Sequence, residues 1–240
     1  MALWAIADLH LSTASGKPMD KFGSRWQGYM DKIVKRWNAL VDEEDTVVVP
    51  GDISWAMKLS EARGDFEFIE KLHGRKIIGK GNHDYWWDGE AKISSALSDW
   101  GVKSVSVLRN NAYFAENRII CGSRGWFVEK RLQDAKFTSD YGKMINRECI
   151  RLSLSIDEGE RLKNEFGSNA PIYVFLHFPP VFEDFVCEPI VNLMSERKVE
   201  RCFFGHIHSK YNIPPVFEYK GIKMEIISSD YLDFYPKKLV

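Results

Sequence analysis

The run Gly81-Asn82-His83-Asp84 puts three chemically active side chains in a row directly after an apolar segment. An Asn amide oxygen can ligate a hard metal ion, and an imidazole can carry a proton at neutral pH. A carboxylate beside that imidazole can fix its tautomer and raise its basicity. Four other segments offer partners for the tetrapeptide: Asp8-Leu9-His10, Gly51-Asp52, His177, and Gly205-His206-Ile207-His208. Of the six histidines, five (His10, His83, His177, His206 and His208) lie in these five segments. The sixth, His73, ends a helical stretch, where the helix dipole is sufficient reason for it.

The elements that carry these residues alternate. Leu3 to Ala7 reads as a short buried strand ending at Asp8. Apolar residues from Trp26 to Val41 recur at helical spacing, and the β-branched run Thr46 to Val49 is a strand stopped by Pro50-Gly51. Ser60 to Leu72 is helical, Lys76 to Ile78 is a strand that delivers the tetrapeptide, and Asp88 to Trp100 is helical again. Strands are expected over Val102 to Leu108, Tyr113 to Ala115 and Arg118 to Cys121, with a hairpin turn at Glu116-Asn117. Ser139 to Phe166 reads as a long amphipathic helix with an interruption near Ser155. A strand from Ile172 to Leu176 ends at His177, a helix follows from Val186 to Arg197, and Glu200 to Phe204 is a strand ending at Gly205. The tail carries a hairpin around Lys220-Gly221. Alternation of this kind predicts parallel strands covered by helices, with sites in the crevice beyond the carboxyl ends of the strands. All five segments sit at such ends, so residues distant in sequence can converge.

Composition narrows the class. The 240 residues are 45% hydrophobic and 28% charged, as in a soluble globular protein able to bury a sizeable core. No repeat, low-complexity tract or linker divides them, and a single domain over residues 1–240 is expected. Thirty-three basic and 34 acidic residues give a net charge of 33 − 34 = −1, which offers no global attraction to nucleic acid or anionic lipid. A local basic patch stays open, and nucleic acid with it. Met1 to Ala7 has no positive n-region before Asp8, and no run is long enough to span a bilayer. Cys121, Cys149, Cys187 and Cys202 form no CxxC pair and are expected as buried free thiols of a cytoplasmic protein.

Taken in order, Asp8-x-His10, Gly51-Asp52, Gly81-Asn82-His83-Asp84, His177 and Gly205-His206-x-His208 resemble the signature of the calcineurin-like metallophosphoesterases. The resemblance covers residues 8 to 208. It implies an α/β fold built as a four-layer α/β/β/α sandwich, two mixed sheets face to face with helices outside. It implies one metal ion on Asp8, His10 and His208, a second on Asn82, His177 and His206, and Asp52 bridging them. Mixed imidazole and carboxylate ligands suit Mn, Fe or Zn better than Ca or Mg. Two such ions roughly 3.5–4 Å apart can clamp the attacking and leaving oxygens of an in-line displacement. With two carboxylate ligands and a bridging hydroxide, two divalent ions keep about one positive charge, which attracts an anionic phosphoester. The activity implied is hydrolysis of a phosphomonoester or phosphodiester by a metal-bound hydroxide. In it His83 serves as general acid and Asp84 orients His83.

Subgroups separate on neighbouring residues. Ile53-Ser54-Trp55-Ala56 follows Asp52 where protein phosphatases carry Val-Asp-Arg-Gly, and His83 stands where lipid-A-pathway diphosphatases carry Arg. Cyclic-nucleotide phosphodiesterases, small-molecule phosphatases and nucleases all remain compatible, so the expected partner is a small phosphorylated substrate, nucleotides among the candidates. Arg124, flanked by Ser123 and Gly125, is a candidate for binding the substrate phosphate. Trp55, Tyr85, Trp86 and Trp87 are candidates for stacking on a base. A non-catalytic metal-binding scaffold on the same fold is the alternative. The complete set of seven ligands plus His83 favours an enzyme.

Overall fold

The computed structural model describes residues 1–14, 16, 17, 19–127 and 138–240. In chain order the larger elements are β1 (Leu3–Ala5), α1 (Tyr29–Asn38), β2 (Thr46–Pro50), α2 (Arg63–Glu70), β3 (Arg75–Gly79), α3 (Glu90–Asp99) and β4 (Val105–Val107). A hairpin of β5 (Tyr113–Ala115) and β6 (Arg118–Ser123) follows, then α4 (Thr138–Glu165), β7 (Ile172–Leu176) and the two-residue strands β8 (Val181–Phe182) and β9 (Phe185–Val186). The chain ends through α5 (Glu188–Glu196), β10 (Arg201–Phe204), β11 (Val216–Tyr219), β12 (Ile222–Ile226) and β13 (Lys237–Lys238).

Two large mixed sheets result. One has the order β13-β1-β2-β3-β4, parallel except for β13 at its edge. The other has the order β11-β12-β10-β7-β6-β5, with a parallel centre and an antiparallel strand at each edge. Strand parity explains why they stack. Successive side chains of a strand point to opposite faces, and here both faces are apolar. Leu3, Ala5, Val48 and Ile77 from the first sheet meet Ile120, Tyr173, Phe175 and Phe203 from the second in a shared middle layer. The alternate residues Trp4, Val47, Val49 and Ile78 pack with Ile33, Trp37, Phe66 and Ile93 of the first sheet's helices. Ile119, Val174, Cys202 and Phe204 do the same with Leu152, Ile156, Ile190 and Met194. The layering is therefore helix, sheet, sheet, helix, as the resemblance implied.

Several boundaries differ from the sequence reading for local reasons. The helix expected from Trp26 starts at Tyr29, because Gly28 takes a left-handed φ of 60° after a short 3-10 turn over Ser24–Trp26. The helix expected from Ser60 opens as a 3-10 turn, Leu59–Ala62, before α2. No break occurs in α4 at Ser155. Its buried hydroxyl accepts from Gly122 N–H (2.9 Å) and donates to Asn111 O (2.7 Å), so it ties the helix to β6 and does not compete with the helix backbone. The hairpin turns at Glu116-Asn117 and Lys220-Gly221 are as expected, with positive φ at all four residues. All four cysteines are free, and burial pushes the Cys121 thiol up to about 12. Among the described residues, no helix is long and apolar enough to cross a membrane.

Phe203 is fully buried between the sheets, stacked on Phe175 (centroids 4.9 Å apart) and tilted against Tyr173 (5.6 Å). Phe203→Ala is expected to cost about 3–5 kcal/mol, read as a lowered denaturation midpoint with unchanged slope.

Candidate metal centre

Each of the strands β1, β2, β3, β7 and β10 delivers its polar segment at the same edge of the double sheet. The chain after β12 closes the gap between the sheets there. Ala7 N–H donates to Ile227 O (2.7 Å), and Ser229 N–H donates back to Ala7 O (3.0 Å). Sharp turns follow the strands. Asp8 (φ 62°), His10 (47°), Asp52 (51°) and His206 (69°) all lie in the left-handed region. That region costs a non-glycine residue roughly 1–2 kcal/mol, so backbone strain is concentrated on the residues of the site. Glycines permit the close approach of the loops. A Cβ on Gly81 would stand 2.0 Å from Asp52 Oδ1, and one on Gly205 would stand 2.7 Å from Asp8 Oδ2.

The two carboxylates Asp8 and Asp52 are used in the same way. Asp8 Oδ2 accepts the His206 N–H (2.9 Å) and Asp52 Oδ1 accepts the His83 N–H (2.8 Å), each from another loop. The second oxygens, Asp8 Oδ1 and Asp52 Oδ2, are buried and have no hydrogen-bond partner. They face imidazole nitrogens. Asp8 Oδ1 lies 3.5 Å from His177 Nδ1, and Asp52 Oδ2 lies 3.6 Å from both His10 Nε2 and His177 Nε2. His10 Nε2 and His208 Nε2 are 3.3 Å apart, and Asn82 Oδ1 is 2.6 Å from His177 Nε2. Two compact groups follow, Asp8 with His10 and His208, and Asp8 with Asp52 and His177. Metal–ligand bonds of roughly 2.0–2.2 Å separate two ligands of one ion by a little over 3 Å, so these spacings fit a metal. Together the groups suggest a binuclear site. Asn82 stands at the second group, and Asp8 belongs to both. His206 approaches through its backbone, while its ring packs edge-on to His177 (5.2 Å) and Phe178 (4.6 Å).

Electrostatics agree with the geometry. Burial raises the Asp8 carboxyl to about 6, and burial with the neighbouring charges of Asp84 and Asp8 raises Asp52. Burial and the other imidazoles hold His10 and His177 well below the usual histidine range, and His206 at about 3. Neutral imidazoles beside carboxylates that resist charge are the ligand set a cation stabilises. His208 behaves differently. Burial disfavours its charge, but the bond to Asp230 and the charges of Asp8 and Asp230 lift its pKa above the ordinary value.

Asp230 is a residue that the sequence reading missed. Fully buried, it accepts His208 Nδ1–H (2.7 Å), Ser209 N–H (3.0 Å) and the Tyr211 hydroxyl (3.0 Å). This fixes the tautomer that leaves His208 Nε2 facing His10. Its only sequence signal is positional: Ser228-Ser229-Asp230 follows the parallel strand β12, just as the other site segments follow theirs.

Asp84 is not placed as expected. In place of orienting His83, its carboxylate accepts five other N–H groups. Oδ2 takes those of Asp52 (2.9 Å) and Gly81 (2.7 Å), and Oδ1 takes Ile53 (2.9 Å), Ser54 (3.2 Å) and Trp86 Nε1 (2.9 Å). A carboxylate offers about four lone-pair sites, so none is left for His83. Support for His83 comes from Trp55, whose ring centroid is 4.3 Å from the His83 ring and 5.0 Å from His10, stacked on the latter. Lys17 lies over the Trp55 ring as well (5.1 Å), so that indole is occupied and not free for a base. Trp86 is buried, and Trp87 and Arg124 line a neighbouring cavity.

Comparisons with known proteins bear on this arrangement. The sequence profile of the family described as calcineurin-like phosphoesterase matches residues 1–210. A search of curated proteins finds no significant match. Among solved structures, the phosphopantetheinyl hydrolase PptH from Mycobacterium tuberculosis is similar at TM-score 0.54 and 13% identity, covering 100% of this chain and 95% of its own. The protein TT1561 of Thermus thermophilus is similar at TM-score 0.54 and 9% identity, covering 95% and 89%. At such identities the likeness concerns the fold alone.

Two measurements check the centre. Asp230→Asn keeps the shape but loses the acceptor pair, and should weaken Mn or Zn binding about 10–100-fold by calorimetry. Metal affinity should also rise with pH from about 5 to about 7, because Asp8, raised to about 6, must lose its proton to bind a cation. The raised His208 acts in the same direction.

Proposed function

Because this chain belongs to the calcineurin-like phosphoesterase family, we propose that it is a metal-dependent phosphoester hydrolase whose 240 residues work as one catalytic domain. One observation carries the reading. Each of the two buried site carboxylates uses one oxygen to hold a neighbouring loop and turns the other, unpartnered, toward imidazoles. Asp8, His10 and His208 would hold one ion. Asn82, His177 and His206 would hold the other, with Asp52 between them. For His206 this requires its ring to serve as ligand in addition to its backbone contact with Asp8. Mn, Fe and Zn are the ions proposed, from the donor types. Bound ions of this kind polarise a phosphoryl group and acidify water.

The remaining chemistry belongs to His83. Its N–H anchors it to Asp52, Trp55 packs against its ring, and its Nδ1 is buried with no hydrogen-bond partner. Burial, then the positive charges of His208 and Lys17, lower its pKa in the free protein. A phosphoester dianion beside the ring would favour the protonated form, which can then release its proton to the departing alkoxide. Trp55, clamped between Lys17 and the two imidazoles, positions His83 and does not stack on a base. Tyr85, 58% exposed and 6.4 Å from the His83 ring, is the aromatic face left for a nucleoside, which supports nucleotides as candidate substrates. The complete ligand set favours an enzyme over a scaffold.

The test is a metal-reconstituted panel of a phosphomonoester, a phosphodiester and several nucleotides. His83→Ala should lower kcat by about 10²–10⁴ for an alkyl leaving group and much less for a nitrophenyl one. Equal losses on both would remove the general-acid role. Absence of hydrolysis with Mn, Fe and Zn alike would overturn the enzymatic reading.

A further inference from the structure

Beside the metal centre, the carboxyl ends of β3, β4 and β6 frame a cavity of about 90 Å³ that the proposed reaction does not use. Four cationic side chains line it: Lys80 from the β3 end, Arg109 from the β4 end, Arg124 from the β6 end, and Arg151 from α4. Trp87, Asn110 and Ser123 add aromatic and neutral polar lining. Its place is set by the site segments. Lys80 immediately precedes Gly81-Asn82-His83, and Arg124 O accepts the Phe178 N–H (2.9 Å) next to His177.

Charge in the cavity is unbalanced among the described residues. Glu148, buried on α4, pairs with Arg151 at 2.6 Å and also attracts Arg124. Arg109 donates to a neutral acceptor, Asp88 O (2.9 Å). Arg124 Nε is buried and has no hydrogen-bond partner, while its guanidinium lies over the Trp126 and Phe178 rings at 5.7 and 5.8 Å. Lys80, half-buried, lies close enough to Arg124, Arg151 and Arg109 to feel their charges. Among the described residues one carboxylate, Glu148, pairs directly with one of these four cations, while Asp88, Asp84 and Asp52 attract Arg109, Lys80 and Arg124 from farther off. The small space keeps an excess of positive charge that a multivalent oxyanion would neutralise. Guanidinium groups match phosphate bidentately, and a charge-assisted bond is worth more in a partly buried pocket than in water. A cavity of about 90 Å³ has room for a phosphoryl group.

We propose that this cavity is an anion subsite that takes a second phosphoryl group of the substrate, so that compounds with two phosphoryl groups are preferred to those with one. This rests on the phosphoesterase reading for the substrate, but the anion site itself does not. The lining chemistry recognises a phosphate oxyanion, whether tethered to the substrate or free as inorganic phosphate, and two arms of one experiment separate these.

In the first arm, inorganic phosphate is titrated into the metal-free full chain and followed by Trp fluorescence and by the arginine and indole N–H resonances. A dissociation constant at or below about 1 mM is expected, weakening with salt. Arg109→Gln, at an exposed position that cannot disturb the core, should weaken it about tenfold, and Arg124→Gln similarly. No binding in the millimolar range, or binding that both variants retain in full, overturns the proposal whether or not the protein is an enzyme. In the second arm, kcat/KM is compared for a bisphosphorylated ester and the matching monophosphorylated one with the Mn-loaded protein. A preference of about tenfold or more that collapses in Arg109→Gln places the second phosphoryl group of the substrate in the cavity. Phosphate binding without any such preference overturns the substrate assignment and leaves a site for free phosphate.

Discussion

The buried carboxylate of Asp84 is the contact on which the geometry of the site depends. Backbone N–H groups from Asp52, Ile53 and Ser54 in one loop and from Gly81 in another converge on it, together with the Trp86 indole. Two loops that leave adjacent parallel strands are thereby drawn close enough that Gly81 has no room for a Cβ beside Asp52. That proximity lets Asp52 receive the His83 N–H and leaves its other oxygen turned inward. Burial favours the neutral form of Asp84, and the N–H donors favour the charged form. The carboxylate is thus a structural hub whose polar demands are met entirely by the loops it organises.

Around this hub, satisfied and unsatisfied buried polar atoms stand side by side. Asp8, Asp52, Asp84 and His177 are all nearly inaccessible, yet only the inward atoms of Asp8, Asp52 and His177 lack partners. Leaving buried polar atoms without partners costs about 1–3 kcal/mol each, and the left-handed turns at Asp8, His10, Asp52 and His206 add strain. The surrounding sandwich tolerates this because its three apolar layers are otherwise continuous. A cation placed among the orphaned atoms would supply the missing interactions, which ties the stability of the site to its chemistry.

Support for the histidines comes from several directions. Asp230 sets the tautomer of His208, Tyr29 donates its hydroxyl to His10 O (2.8 Å), and Trp55 packs on His10 and His83. Asp65 on α2 accepts both the N–H and the hydroxyl of Thr13, beyond His10, and the hydroxyl of Ser54. The first-sheet helices therefore shape the floor of the site. Arginines of the second sheet and α4 shape one flank.

The elements and the chemistry of their ends are legible in the order of residues. Apolar runs stopping at Asp8, Asp52, Asn82, His177 and His206 identify strands whose ends carry side chains able to ligate a metal, because strand periodicity and turn residues are local properties. Even the residue classes suited to a transition-metal centre were legible there. The tertiary structure alone decided which neighbours those residues have. Asp84 adjoins His83 in sequence, and local reading pairs them, but the sharp turns of the loops aim its carboxylate at backbone N–H groups instead. Beyond the position of Asp230 after a strand, Asp230 and Asp65 carry no local signature, since their side-chain partners lie at least 19 and 11 residues away. The basic cavity is likewise invisible in a chain of net charge −1, because Lys80, Arg109, Arg124 and Arg151 become one cluster only when β3, β4, β6 and α4 pack together. Side-chain type is written in the chain, whereas convergence is a property of the packed sheets.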